Sequence, residues 1–229
     1  MKILAVDTAT DSCSVAITED DALRAEMTAI PGQTHSRHLM QFIASVLDAS
    51  ALKLPDLDGF AVSIGPGSFT GVRIGISTIK GLAFSLDKPV VGISSLAALA
   101  WQCGWSLGLT CAMIDARKQQ VYCGRYRFEN DELKKEGGEH VLTPEAAVGD
   151  IDAPCLFVGT GAQMYQEKIG AILGERARFP LAGWHTLRAS SVAFLSRSRF
   201  DSRQTDDIAL LVPNYIRKSD AERNRASGI

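Results

Sequence analysis

Three stretches of this sequence combine residue types and spacing that could handle charge. Asp7-Thr8-Ala9-Thr10-Asp11 puts two carboxylates and two hydroxyls in a polar turn after an apolar run. At a strand–turn–strand, such a turn can offer N–H groups and hydroxyls to phosphate while a carboxylate holds a hydrated metal ion. The plainer reading is a hairpin that uses Thr and Asp as turn formers. The second stretch, Gly65-Pro66-Gly67-Ser68-Phe69-Thr70-Gly71-Val72-Arg73-Ile74-Gly75, follows an apolar run and opens a helical pattern. Exposed N–H groups and the helix dipole would favour an anion there, by roughly 0.3–1 kcal/mol from the dipole alone. It is not a Walker A loop, because no Gly-Lys-Ser/Thr follows, and its spacing does not fit G-x-G-x-x-G. The third is Thr34-His35-Ser36-Arg37-His38. Two His three residues apart could face one metal, but zinc needs more ligands and no Cys or third His lies nearby in sequence. A polar helix start is the expected role, and neither a metal nor a cofactor is expected.

Other chemistries find no foothold. Spacing supports no Ser-His-Asp or Cys-His arrangement, no G-x-S-x-G elbow occurs, and no paired carboxylates stand out. Asp115-Ala116-Arg117-Lys118 carries charge but no glycine, so its backbone is poorly suited to wrap a phosphate. Lys and Arg total 24 against 26 Asp and Glu, a net charge of -2. That balance gives no whole-chain attraction for nucleic acid. The mixed charges from Arg217 to Arg225 read as a solvated end. The five cysteines are scattered without a C-x-x-C pair. They are expected to be reduced thiols in a cytoplasmic protein with no leader peptide and no membrane span.

The elements that must position these residues follow from period and punctuation. Strands are predicted at Lys2–Asp7, Ser12–Thr18 and Leu23–Ala29. A helix follows with Thr34 as N-cap and Leu39, Phe42, Ile43, Val46 and Leu47 at helical spacing. Next come a strand at Gly59–Ile64, a helix over Phe69–Leu86, a short strand at Val90–Ile93 and a helix near Leu96. Gln102–Gly108 reads as a connection. The order then returns, with strands at Leu109–Ile114, Val121–Phe128 and Lys134–Val141. A short helix capped by Thr143 with Pro144 at its first position follows. A strand at Cys155–Val158 leads through Gly159-Thr160-Gly161 into one amphipathic helix reaching Leu173. A last helix covers Ala189–Phe200. Gly65 and Gly67 thus correspond to Gly159 and Gly161. Six elements repeated in order imply two similar α/β lobes with mixed sheets and a cleft between them. The expected lobes are 1–103 and 104–229, with the packing of the segment after Ile208 left open. Gly71, Gly75, Thr78 and Leu82 form one narrow helical stripe. Each Gly costs a helix roughly 1 kcal/mol relative to Ala, so two of them suggest close helix packing, within the lobe or between subunits.

The duplicated layout resembles the actin, sugar-kinase and chaperone-ATPase superfamily, built on a duplicated ribonuclease-H-like motif. Within it, Asp7-Thr8-Ala9-Thr10, the GPGSFTGVRIG element, Asp115-Ala116-Arg117 before Val121-Tyr122, and Pro213-Asn214-Tyr215-Ile216-Arg217 together resemble the TsaB (YeaZ) family across essentially the whole chain. That family is a shortened relative of TsaD, the enzyme that transfers a threonylcarbamoyl group to tRNA. Where TsaD carries its H-x-x-x-H metal motif, this sequence has Ser95 and Leu99, which cannot replace two imidazoles. Where TsaD has a glycine-bearing loop in its second lobe, Asp115–Gln119 has none.

The resemblance implies a non-catalytic subunit that binds a TsaD-type enzyme, with a TsaE-type ATPase joining the complex. It also implies a homodimer in isolation and contact with tRNA only through the complex. Asp7, Thr8, Asp11, Gly65 and Gly67 would be a remnant of a nucleotide or phosphate site. Leu39, Phe42, Val46, Gly71, Gly75, Thr78 and Leu82 would form the partner interface, in a four-helix bundle. The competing reading is a stand-alone phosphotransferase of the sugar-kinase type, with Asp7, Asp11 and the Gly65–Gly71 loop holding ATP and metal. A peptidase reading finds no nucleophile–base pattern.

Overall fold

A computed structural model describes residues 1–30, 35–104, 108–130 and 132–217 of the 229-residue chain. The expected helix cap at Thr34 and the residues beyond Arg217 lie outside the described residues. The first half runs β1 (Lys2–Asp7), β2 (Cys13–Glu19), β3 (Ala22–Ala29), α1 (His35–Ala49), β4 (Gly59–Gly65), α2 (Phe69–Leu86), β5 (Val90–Ser94) and α3 (Ser95–Trp101). The second runs β6 (Leu109–Asp115), β7 (Val121–Glu129), β8 (Glu132–Leu142), α4 (Pro144–Val148), β9 (Cys155–Val158), α5 (Thr160–Met164), α6 (Gln166–Leu173), β10 (Ala177–Arg178) and α7 (Ala189–Asp201). The two sheets have the same order, β3-β2-β1-β4-β5 and β8-β7-β6-β9-β10. In each, the first three strands are antiparallel and the last two are added parallel. The duplication read from element order is therefore a duplication of topology.

Alternation along β1 sorts the core into layers. Leu4 and Val6 face α1 and α2, packing with Leu39, Ile43, Val72, Ile76 and Ile79. Ile3 and Ala5 face the opposite side, where Leu96, Leu99, Val192 and Ala193 belong to a core shared with Ala112, Ile114 and Tyr126 of the second sheet. Helices α3 and α7 are thus the layer between the two sheets. The far face of the second sheet, with Cys111 and Met113, is covered by Ala147, Val148, Ala162 and Ile169.

Helix starts follow local chemistry. Ser68 Oγ accepts from Gly71 N at 3.3 Å, Ser94 Oγ from Ala97 N at 3.3 Å, and Thr143 Oγ1 from Ala146 N at 3.3 Å, with Pro144 at the first position of α4 as expected. One expectation changes. The single helix predicted through Leu173 is two, α5 and α6, broken at Tyr165 with φ -108° and ψ 21°. The late part of the chain packs on strands of the first half. Helix α7 lies against β1, β2, β4, β5 and α3. Beyond it, Asp206 N donates to Val90 O at 2.8 Å, and Leu211 is buried in the first lobe's core. Among the described residues no helix is long and apolar enough to cross a membrane.

Candidate functional site

The cleft between the lobes has a volume of about 410 Å³ and is walled by the turn after β1, the Gly65–Val72 turn, the turn after β6, the start of α5, and residues 213–217. The first two come together because β1 pairs parallel with β4, bringing Val6 opposite Val62. One residue on, Asp7 meets Ser63, whose Oγ donates to Asp7 Oδ1 in a very short contact. Ala9 N also donates to Oδ1, at 3.2 Å. Oδ2 is buried with no partner among the described residues. Burial pushes the Asp7 carboxyl up to about 7, against the lowering effect of those two donors.

The glycines of the second motif let α2 sit directly on this turn. A Cβ on Gly67 would lie 2.2 Å from Ala9 O, one on Gly71 2.1 Å from Thr8 O, and one on Gly75 2.5 Å from Thr8 Oγ1. Across the contact, Thr8 Oγ1 donates to Gly71 O at 2.7 Å and Ser68 N donates to Ala9 O at 2.7 Å. Thr8 Oγ1 and Ser68 N, two groups that could have held a phosphate, are therefore bonded to the protein itself. The second lobe repeats the device: Gly65 and Gly159 both have positive φ (97° and 104°), and a Cβ on Gly161 would meet Ile114 C at 3.0 Å.

The residues expected to form a phosphate remnant consequently separate. Asp11, Gly65 and Gly67 line the cleft. Asp7 and Thr8 do not: both are fully buried behind it, and Thr8 spends its hydroxyl on α2. Asp11 reaches across to Arg117, with Oδ1 3.9 Å from Nη2, a pair exposed enough to add little stability. Arg117, Lys118 and Gln119 all sit in the left-handed region, with φ of 59°, 53° and 58°. The turn after β6 therefore curls without the glycine that usually makes this conformation easy.

Most of the residues expected at a partner interface lie inside the first lobe. Leu39, Phe42 and Val46 are buried against the first lobe's own sheet, as are Gly71 and Gly75. At Gly71 and Gly75 the small-residue stripe admits the turn after β1. Thr78 is half-buried, and Leu82 packs partly on the same core. What the two adjacent helices present outward is a different face: Met40, Gln41, Ala44 and Ser45 on α1, and Arg73, Ser77, Gly81 and Phe84 on α2. Phe84 is 81% exposed, and a Cβ on Gly81 would touch nothing within 4 Å.

Sequence reasoning did not single out Glu139 of β8. Its Oε1 accepts from Ser94 Oγ of the first lobe and from Tyr126 Oη at 2.7 Å, and its Oε2 lies 3.3 Å from Asn214 Nδ2. Nothing in a Gly-Gly-Glu-His stretch of an edge strand signals contact across a cleft. Ser95 and Leu99, the positions compared with a metal motif, are both fully buried at the start and middle of α3. Among the described residues no group of three or more His, Cys, Asp or Glu could hold a metal ion.

Two lobes of one topology, closed on a cleft by paired Gly-rich turns, define a protein of the duplicated actin, sugar-kinase and chaperone-ATPase class. A family model described as TsaD, tRNA N6-adenosine threonylcarbamoyltransferase, matches residues 29–225. The chain is 38% identical over 227 residues to the tRNA threonylcarbamoyladenosine biosynthesis protein TsaB of Escherichia coli (strain K12), covering 96% of each. It is 34% identical over 225 residues to TsaB of Bacillus subtilis (strain 168), covering 97% of this chain and 96% of that one. A solved structure titled YeaZ from Pseudomonas aeruginosa matches with a TM-score of 0.83 and 30% identity, over 93% of this chain and 99% of that one. The chain belongs to the TsaB (YeaZ) family.

Proposed function

We propose that this chain is a non-catalytic subunit in tRNA threonylcarbamoyladenosine biosynthesis, acting in the cytoplasm by binding a TsaD-type enzyme. In that complex the enzyme moves threonylcarbamoyl from its adenylate to the adenosine beside the anticodon, and a TsaE-type ATPase joins them. The chain meets tRNA only through the assembly and pairs with a second copy of itself when alone. One observation carries this reading: at the junction of the β1–β2 turn with α2, the groups suited to phosphate are used internally. Thr8 Oγ1 is given to Gly71 O, Ser68 N to Ala9 O, and Asp7 is sealed beneath. A site so occupied offers little to a nucleotide, and the names of the relatives point to the tRNA pathway.

The docking surface in this reading is the outward face of α1 and α2, where Ala44, Ser77 and Gly81 are small enough for a close helix and Met40 and Phe84 supply apolar area. The test is co-purification with a TsaD-type subunit, together with transferase assays of each chain alone and mixed. The parent chain alone is expected to be inactive and to be required in the mixture. Gly81→Arg and Phe84→Asp are expected to melt no lower than the parent while losing at least about tenfold in affinity, since bulk at a close helix contact overpacks it and truncating a hot-spot anchor costs about 2 kcal/mol or more. Turnover by this chain alone, or micromolar binding of Mg-ATP to it, would instead favour the phosphotransferase reading.

A further inference from the structure

The cleft of a two-lobed protein is where a ligand would ordinarily bridge the halves. Here the chain's own late segment runs along its wall. The segment is first anchored to the first lobe: Asp206 N bonds Val90 O at 2.8 Å, Lys80 Nζ donates to Ala209 O at 3.1 Å and Leu211 O at 3.2 Å, and Leu211 is buried. It then enters the cleft. Asn214 N donates to Ile64 O at 2.7 Å, and a Cβ on Gly65 would lie 3.3 Å from Asn214 O. The Tyr215 ring stacks on Phe69 with centroids 4.9 Å apart, and Arg73 Nε donates to Tyr215 Oη at 2.6 Å while its guanidinium lies 3.8 Å over the Phe69 ring. Finally the segment ties to the second lobe, where Asn214 Nδ2 donates to Glu139 Oε2 at 3.3 Å and Arg217 Nη1 to Ala116 O at 3.1 Å.

We propose that residues 213–217 are an internal strap, running along the wall of the interlobe cleft and setting the angle between the lobes by bonding to both. Its parts have separable jobs. Tyr215, clamped by Phe69 and Arg73, fixes the strap to the start of α2. Asn214 joins the two lobes through one residue, its backbone serving the first and its side chain the second. Arg217 holds the turn after β6, the turn that curls through three left-handed residues without glycine. Glu139 is the positioning residue that gathers Ser94, Tyr126 and Asn214. The cleft can thus stay closed without a ligand, because the chain supplies its own bridge.

The test uses the full chain with Asn214→Ala/Tyr215→Ala, followed by native-state hydrogen exchange. Spin-label distances are measured between exposed positions 48 and 167, one in each lobe. Losing the strap's two side-chain hydrogen bonds, from Asn214 to Glu139 and between Tyr215 and Arg73, each worth about 1 kcal/mol net, is expected to speed exchange of the N–H groups in 65–71 and 116–120 about tenfold or more. The distance distribution should broaden, and amides 111–114 inside β6 should keep their parent rates. Unchanged exchange and distances overturn the proposal. So does an equal acceleration of amides 111–114, because the segment would then only add to global stability. Should the double variant not fold, Arg217→Ala and Glu139→Ala remove only side-chain ties that reach the second lobe. They are expected to loosen 116–120 and leave 65–71 unchanged, and no effect from either would overturn the proposal.

Discussion

At the scale of a residue, the two oxygens of Asp7 live in different conditions. Oδ1 has two donors, Ser63 Oγ and Ala9 N, whereas Oδ2 has none among the described residues and no access to water. Neutralising the carboxyl relieves the second oxygen, which is why burial raises this group from 3.8 to about 7. The sign follows directly. Between those values the folded chain holds a proton that the unfolded chain has lost, so stability falls as pH rises through the interval, by at most about 1.4 kcal/mol per pH unit from this one group. Asp7→Asn keeps the acceptor for Ser63 and Ala9 and cannot ionise. Its advantage over the parent in urea melts should therefore grow from about pH 4 to about pH 7 and then level off. Parallel pH profiles for the two proteins would show that Asp7 does not titrate in the fold. The sequence offered Asp7 as a group for phosphate or metal, because a polar turn after a strand is locally compatible with that. It could not show that the partner would be Ser63, which arrives only through a β1–β4 pairing 56 residues apart.

At the scale of an element, α2 shows why a glycine stripe is ambiguous in one dimension. Both readings of Gly71 and Gly75 required close approach; only the sheet decided what approaches. Gly81, in the same helix, is a glycine without that reason, since a methyl there would meet nothing. Substitution by Ala should therefore split by position. Gly81→Ala is expected to stabilise by about 0.5–1 kcal/mol through helix propensity and unfolded-chain entropy. In a domain of this size that raises the melting temperature by about 1–4 °C. Gly71→Ala gains the same propensity but drives a methyl to 2.1 Å from Thr8 O, and backbone cannot swing aside as a side chain can. A net loss of about 1–3 kcal/mol is expected from the overpacking, measured by the same thermal melts. If Gly71→Ala instead matched Gly81→Ala, α2 would not rest on the β1–β2 turn as described.

At the scale of the whole molecule, the repeat was legible and the closing of the chain was not. Strand runs, the cap at Thr143 and paired Gly-x-Gly turns are local signals, and they recovered the order of strands along both halves of the chain. The place of α7 is not written locally. Its buried residues include Ala189, Ser190, Ser191, Val192, Ala193, Ser196 and Phe200, too mixed a set to mark one apolar face. Its first amides are satisfied from far away: Ala189 N donates to Ser14 Oγ at 2.9 Å and Ser190 N to Glu26 Oε1 at 2.9 Å, both from strands of the first lobe. A helix capped by another lobe's side chains carries no cap of its own in the sequence. Residues 1–103 are therefore not expected to be a self-sufficient domain. They lack the helix that covers one face of β1, β2, β4 and β5, leaving Ile3, Ala5, Ala16 and Ala61 without their α7 neighbours. Expressed alone, that fragment is expected to be insoluble or to lack a cooperative melt. Adding a chain of residues 187–217 should restore one, with protection of the β1 and β2 amides in hydrogen exchange. A fragment 1–103 that melts cooperatively on its own would mean that the first lobe's stability does not depend on α7, and that the return of the chain serves only to join the lobes.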